Sequence, residues 1–345
     1  MKQMILIKYI LRRILLSIAS ILGVITIAFF FTRSLSGLAR SIWGHLPEWA
    51  TYEDYLAEIA YLGLDKPIFM QYLVFMRNIF IGNWGLSLAV AYKTPVWDVI
   101  LAHLPRTLEI MFISMSIAIF LGLRLGKISA ANYKKTKDTA IRIFTYLMVS
   151  IPGFVVLIFL MQLYVHTPFR IFPLYGYKTP GYPEPPTITH IRLIDTLISG
   201  KLYLFFDYLW HLIVPVSAVT IVQLVIIIQQ TRGKMLEVLQ QDYIYTAIAK
   251  GCKNKDILKK HALKNAATPA IMVSSMGFPI VLGGMIAIER VYNTQGLGAM
   301  FFIAVDYLDF PLIIACAYVF ALIVVVFNLA ADILVAMIDP RIKLK

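Results

Sequence analysis

Two cysteines, Cys252 and Cys316, are all that 345 residues contain, and they lie far apart in sequence. That is too few for a disulfide framework or a thiolate metal site, so both read as ordinary reduced thiols. Charge is scarce too: Asp, Glu, Lys and Arg make up 15% of the chain, against roughly 25% in an average globular protein. No Gly-x-x-x-x-Gly-Lys-Ser/Thr occurs, so the chain cannot cradle nucleotide phosphates in the P-loop manner. No His-Glu-x-x-His occurs either, which leaves a zinc hydrolase unsupported. The ten-residue alternation of a membrane barrel is also missing, because the apolar segments are unbroken runs.

What the chain has in excess is apolar surface. Hydrophobic residues make up 59%, and the mean hydropathy is +0.76. A soluble domain sits nearer 45–50% apolar, since its surface must be wetted. The excess points to a bilayer, crossed by helices that satisfy their own backbone. Six segments are long enough for roughly 30 Å of hydrocarbon, near 10–31, 107–125, 143–165, 209–230, 269–289 and 311–336. The first opens Tyr9-Ile10-Leu11-Arg12-Arg13 and stays apolar to Phe31. It is longer than the apolar stretch of a signal peptide, so an uncleaved span is expected.

With the N-terminus in the cytoplasm, most of the 32 Lys and Arg residues fall on cytoplasmic pieces. They cluster at 2–13, 124–142, 232–264 and 341–345, which is the positive-inside pattern. The formal charge of +13 is therefore mostly a topology signal. No nucleic-acid-binding motif accompanies it, and no nucleic-acid partner is expected. Six crossings of the cell membrane would place both termini in the cytoplasm.

Three loops are long. Residues 32–106 are expected outside, with a helical-looking stretch from Glu48 to Ile59. Residues 167–208 are expected outside and are rich in Pro, Tyr and Gly, notably over 173–186. Loops of this length are usually functional or disordered. Residues 231–268 are expected inside. There Gln241 to Ala249 suits a helix, Lys250 suits its last turn, and Gly251 suits the left-handed position just past it. Beyond Cys252, Ile257, Leu258, Ala262 and Leu263 fall broadly on one side of a second helix. Two short helices joined at a glycine can dock in a partner's groove and transmit a push. The same basic amphipathic pattern also suits a helix lying on anionic lipid, and the residues alone do not separate the two.

At these residues the chain resembles the dipeptide/oligopeptide permeases of ATP-binding cassette importers, specifically the B-type subunit. The family pattern Tyr-x-x-Thr-Ala-x-Ala-Lys-Gly is matched by Tyr243, Thr246, Ala247, Ala249, Lys250 and Gly251. Its continuation, His-Ala-Leu-x-Asn-x-x-x-Pro, is matched by His261, Ala262, Leu263, Asn265 and Pro269. Other matches run along nearly the whole chain: Gly63-Leu64-Asp65-Lys66-Pro67, Leu104-Pro105-Arg106-Thr107-Leu108-Glu109, Ser150-Ile151-Pro152-Gly153-Phe154, Gly296-Leu297-Gly298 and Ile338-Asp339-Pro340-Arg341. Departures occur outside the expected membrane, where the family's Pro-Gly-Asp-Pro is replaced by Ser36-Gly37-Leu38-Ala39 and its Gly-Asp-x-Gly-x-Ser by Gly82-Asn83-Trp84-Gly85-Leu86-Ser87. These leave partner and substrate details open.

The resemblance implies an all-α polytopic fold of the type I, binding-protein-dependent kind. Residues 1–31 would hold the first span, 32–106 an extracytoplasmic region, 107–336 a five-helix permease core with the coupling loop at 231–268, and 337–345 a cytoplasmic tail. It implies a non-catalytic subunit that forms half of a translocation pathway. Its partners would be a homologous second permease, two ATPase subunits that bind ATP and magnesium, and an extracytoplasmic solute-binding protein. No cofactor is expected in this chain. Coupling to the ATPase would rest on Tyr243, Ala247, Ala249, Lys250, Gly251, Ile257, His261 and Asn265. The substrate implied is a di- or oligopeptide, with oligosaccharides or nickel carried by some members.

Polar groups within the expected spans are few. Glu109, Glu289 and Asp332 lie near span ends, where reaching the interface or bonding to another helix is weighed against a role in the pathway. Gln223, Gln229, Gln230 and Asn328 could line a polar path or bond to a neighbouring helix. Gly277, Pro279, Gly283 and Gly284 suggest a kink and a close-packing face for a partner helix in the fifth span. The rival class is an ion-coupled secondary transporter, which usually places charges near mid-bilayer.

Overall fold

Backbone amides in hydrocarbon have no water to bond, so a chain of this composition closes its hydrogen bonds along helices. The computed structural model describes residues 2–34, 46, 51–61, 63–91, 93–165, 172–267 and 277–338. Among the described residues there is no strand, only an isolated antiparallel bridge between Leu86 and Pro95. The first helices are α1 (Lys2–Ser34), α2 (Tyr52–Tyr61), α3 (Ile68–Phe80) and α4 (Val96–Ala131). Next come α5 (Thr136–Val149), α6 (Gly153–Val165), α7 (Arg192–Ile198) and α8 (Leu202–Val238). After α9 (Asp242–Ala249) and the short α10 (Asn254–Asp256) stands a π-helix, Ile257–Leu263. The chain continues in α11 (Phe278–Tyr292), α12 (Leu297–Asp306) and α13 (Phe310–Ile338).

Helices α1, α4, α8 and α13 each contain a stretch long and apolar enough to cross a bilayer. The third expected span, 143–165, is not straight: the chain bends by 109° between α5 and α6. Ser150-Ile151-Pro152 causes the break, because proline donates no N–H and pushes the residue before it out of the helical region. Taken as one unit, this pair makes a fifth candidate span. Of the expected fifth segment, residues 269–276 lie outside the described residues, and α11 is its visible part. Helices α4 and α8 have 36 and 37 residues, about 54 Å at 1.5 Å per residue. They outrun the expected 107–125 and 209–230 because Arg124, Lys127, Arg232 and Lys234 end the apolar window without ending the helix. The expected domain boundary at 106/107 therefore falls inside α4.

The core is the parallel pair α4–α8. Ala118, Gly122, Gly126 and Ala130 recur every fourth residue of α4, and all four are buried. A Cβ on Gly122 would stand 2.5 Å from Ile227 Cγ2, and one on Gly126 would stand 2.6 Å from Thr231 Cβ. The backbones thus approach more closely than any side chain would allow, as small-residue ladders permit in membranes. Ser114 Oγ donates to Val216 O at 3.3 Å and Thr220 Oγ1 to Ser114 O at 3.4 Å, which ties the same pair higher up. Among the described residues, nothing packs against the close-packing face expected in the fifth segment: a Cβ at Gly283 or Gly284 would meet nothing within 4 Å. Helix α1 runs antiparallel to α13: Thr32 and Arg33 line one cavity with Phe310 and Ile314, and Ser17 and Ser20 line another with Asn328.

One pole of the bundle is organised by buried carboxylates that hold main-chain N–H groups. Asp309 Oδ2 accepts from Ser87 Oγ at 2.5 Å and from the amides of Leu88, Ala89 and Val90 at 3.1 Å each. Glu109 accepts from Leu193 N at 2.7 Å and Tyr208 OH at 2.6 Å. Glu289 accepts from the amides of Gly298 at 2.7 Å and Ala299 at 3.3 Å, in the first turn of α12, where the helix dipole favours negative charge. The Tyr/Pro-rich insertion is fixed at this pole. Tyr177 is sandwiched between Arg106 (4.5 Å) and Arg192 (4.4 Å), and Gly176 N donates to Tyr292 O at 2.7 Å. Burial alone would raise the Glu184 carboxyl, but bonds from Lys178, Arg192 and Tyr177 outweigh it and hold it down at about 2. The insertion borders an open cavity of about 620 Å³ reached by Trp210, His211, Asn293 and Gln295.

Gly126→Leu should separate α4 from α8. Overpacking of this kind costs about 1–3 kcal/mol, and a thermal ramp of the purified chain in detergent should show unfolding several degrees lower. Gly283→Ala, facing open space, should leave that midpoint in place.

Candidate functional site in the 242–267 segment

Local chemistry sets the first half of the segment. Asp242 sits in the first turn of α9, where its charge suits the helix dipole. The helix ends at Gly251, whose φ is +78°. Gly251 N donates to Ile248 O at 2.9 Å and Cys252 N to Ala247 O at 3.1 Å, the paired bonds of a Schellman motif. A side chain in this left-handed region costs roughly 1–2 kcal/mol, so the expected glycine stop is realised at the expected residue.

The second half departs from an ordinary helix. Ile257–Leu263 is wound as a π-helix of seven residues, with i→i+5 bonds in place of i→i+4. That winding brings residues five apart onto one face, which is the spacing of Ile257 with Ala262 and of Leu258 with Leu263. Ile257 is 6% exposed and Ala262 fully buried. Ala262 and Ala266 pack with Ala130 of α4 and Met235 of α8. The segment is therefore seated on the ends of the two most closely packed helices.

The expected residues separate into two groups. Ala247 and Ile257 face inward, with Ile244 beside them. Ala249, Lys250 and Gly251 are exposed, and His261 is half-buried. Tyr243 and Asn265 are exposed as well, and Asn265 Nδ2 donates to Tyr243 OH at 2.8 Å, bridging the two halves of the elbow. The outer face presents Tyr243, Tyr245 and Ile248, which are 42%, 60% and 54% exposed. A large apolar side chain and two tyrosines held outward on a bent, basic segment form a surface suited to a protein groove.

Beneath the elbow is a cluster that the sequence did not disclose. Arg232 Nε and Nη2 donate to the two oxygens of Asp138 at 2.7 and 3.0 Å. Ser129 Oγ donates to the same carboxylate at 2.5 Å, and Lys134 N at 3.1 Å. The Asp138 side chain is 1% exposed. This fork ties α8, the end of α4 and the start of α5 at one point. In sequence, Asp138 is a lone acid after Lys134, Lys135 and Lys137, which reads as a solvated loop.

The intramembrane polar residues are not gathered into one wall. Glu289 is fully buried and serves α12 as described. Gln223 is 1% exposed, and its Oε1 has no partner among the described residues. Gln229 is exposed and Gln230 half-buried. Asn328 lines a cavity of about 240 Å³ with Arg13, Ser17 and Ser20. The Asp332 side chain lies outside the described residues. No cluster of three His, Cys, Asp or Glu able to hold a metal occurs among the described residues.

The long apolar helices define a multi-pass membrane protein. The chain belongs to the family of binding-protein-dependent transport system inner membrane components, whose profile matches residues 118–344. The profile for the N-terminal part of such membrane components matches residues 6–111. The oligopeptide transport system permease protein AppB of Bacillus subtilis is 33% identical over 336 residues, covering 97% of this chain and 99% of that one. The dipeptide transport system permease protein DppB of Alkalihalophilus pseudofirmus is 33% identical over the same shares. Its namesake from Escherichia coli K12 is 30% identical over 348 residues, 98% of this chain and 99% of that one.

Asp138→Ala strands Arg232 against the helix ends. Breaking a largely buried pair costs about 3 kcal/mol, so the apparent unfolding midpoint in detergent should fall. Lys260→Ala, which removes only an exposed ion pair with Asp256, should change stability by less than about 0.5 kcal/mol.

Proposed function

We propose that this chain is the permease subunit of an ATP-driven importer of short peptides, and that the 242–267 elbow is where a separate ATPase grips it. The observation that carries this reading is the outward face of Tyr243, Tyr245 and Ile248 on an elbow seated, through Ala262 and Ala266, on the ends of α4 and α8. The peptide substrate is supported by the relatives, which are named as oligopeptide and dipeptide transport permeases. The working unit consists of this chain, a second homologous permease, two ATPases carrying ATP and magnesium, and an external solute-binding protein. The chain crosses six times with both ends in the cytoplasm; α1 and residues 32–106 are added to a core that spans 107–336.

The geometry supports a lever. A push on α9 passes through the Tyr243–Asn265 bond and the buried Ile244 and Ala247 into the π-helix. From there it reaches α4 and α8. Those two helices interlock through Gly122 and Gly126, so they move together. The Arg232–Asp138 fork carries the same displacement to α5. Closure of the ATPase pair would rock this unit and open the pathway outward, and hydrolysis would return it.

Gly251→Asp places a charged, branched side chain at a left-handed position open to solvent. With all partners reconstituted in liposomes, uptake of a labelled dipeptide should drop more than tenfold while ATP hydrolysis continues or the complex fails to assemble. The isolated chain should keep its thermal midpoint within a few degrees. Normal uptake by this variant would remove the elbow from the mechanism. Uptake that proceeds without ATP and collapses with an ion gradient would replace the importer reading with the secondary-transporter one.

A further inference from the structure

At the pole opposite the elbow, a cavity of about 140 Å³ opens between the end of α1, α3, the 83–88 loop and the start of α13. Its walls include Arg33, Gln71, Asn78 and Trp84. The Arg33 Nε is buried and has no hydrogen-bond partner among the described residues. Its guanidinium lies 5.4 Å from the Phe29 ring centroid, a contact that does not satisfy an N–H. Gln71 is oriented, because its amide nitrogen donates to Lys66 O at 2.8 Å and Leu64 O at 3.4 Å. That leaves its Oε1 buried and without a partner. One cavity thus holds an orphaned cationic donor and an orphaned acceptor. Each such group costs about 1–3 kcal/mol when left unsatisfied, and more when charged.

Water can enter this space, but it brings no negative charge to a guanidinium. An occupant complementary to these walls carries an anion for Arg33 and a hydrogen-bond donor for Gln71. Its source is indicated by the surroundings. Arg33 stands at the last turn of a membrane-spanning helix. Beside it, α3 exposes Phe69, Met70, Leu73 and Phe80, an apolar face of the kind that lies in acyl chains at the bilayer boundary. Trp84 adds the indole typical of that depth. The frame is rigid: Phe29 stacks on Phe75 at 4.9 Å, and the hydroxyls of Thr26 and Tyr72 are 2.8 Å apart.

We propose that this cavity binds the headgroup of a membrane phospholipid, with the phosphate on Arg33 and the ammonium or hydroxyl of the head alcohol on Gln71. The lipid would fasten α1 and α3 to α13, independently of what the protein transports. The test uses the delipidated full chain in detergent, with native mass spectrometry and thermal shift as readouts. Added phosphatidylethanolamine or phosphatidylglycerol should be retained as a discrete adduct and raise the midpoint by several degrees. Diacylglycerol, which lacks the phosphate, should do neither, and glycerophosphoethanolamine, which lacks the chains, should bind at least tenfold more weakly. Arg33→Gln should weaken phospholipid retention at least tenfold. Gln71→Leu, which keeps the bulk and removes the acceptor, should weaken it severalfold and serves as the variant if Arg33→Gln does not fold. Equal retention by both variants, equal binding of diacylglycerol, or equal binding of the soluble headgroup would each overturn the assignment.

Discussion

The approach of α4 to α8 is the constraint on which the other arrangements rest. Glycine at 122 and 126 lets Ile227 and Thr231 occupy space that a side chain would fill. In a bilayer, association of helices gains little from the hydrophobic effect, so contact area and small residues decide which helices pair. Because the two helices run parallel and in register from Ser114–Val216 to Ala130–Met235, they end together, and their ends form the seat for Ala262 and Ala266. A looser pair would offer the elbow no common base.

The two poles use charge differently. At one, Glu109, Asp309 and Glu289 are removed from water and matched to main-chain amides of loops and short helices. These carboxylates replace the solvent that irregular backbone would otherwise need, so loops can fold back against the bundle. Glu289 thus accepts from the first turn of another helix, one of the roles its place near a span end allowed. At the other pole a buried carboxylate, Asp138, meets a guanidinium and joins three helices. The exposed lysines around it remain in water.

The elbow was legible in sequence to an unusual degree at Gly251, because a left-handed stop is a property of one residue and its immediate neighbours. Its outer side was legible as a motif. Its inner side was only half legible: the five-residue spacing of Ile257 and Ala262 was present, yet it reads as a loose α-helical stripe until the π winding is seen. Asp138 and Arg232 are separated by 94 positions, and nothing in the local pattern of either marks the other. Two glycines of the fifth segment are adjacent and legible as a pair. The ladder from Ala118 to Ala130 is hidden in sequence because three larger or polar residues separate each member from the next.

By itself, the sequence determined that the chain is helical and lives in a membrane, where α9 stops, and which family its motifs resemble. Those are consequences of composition and of contacts between near neighbours. Only the tertiary structure decided how far α4 and α8 run past the apolar window, where the third segment bends by 109°, and which polar groups are matched and which are left without partners. Hydropathy records what the bilayer requires of each residue separately, whereas helix pairing and polar satisfaction depend on residues far apart in the chain.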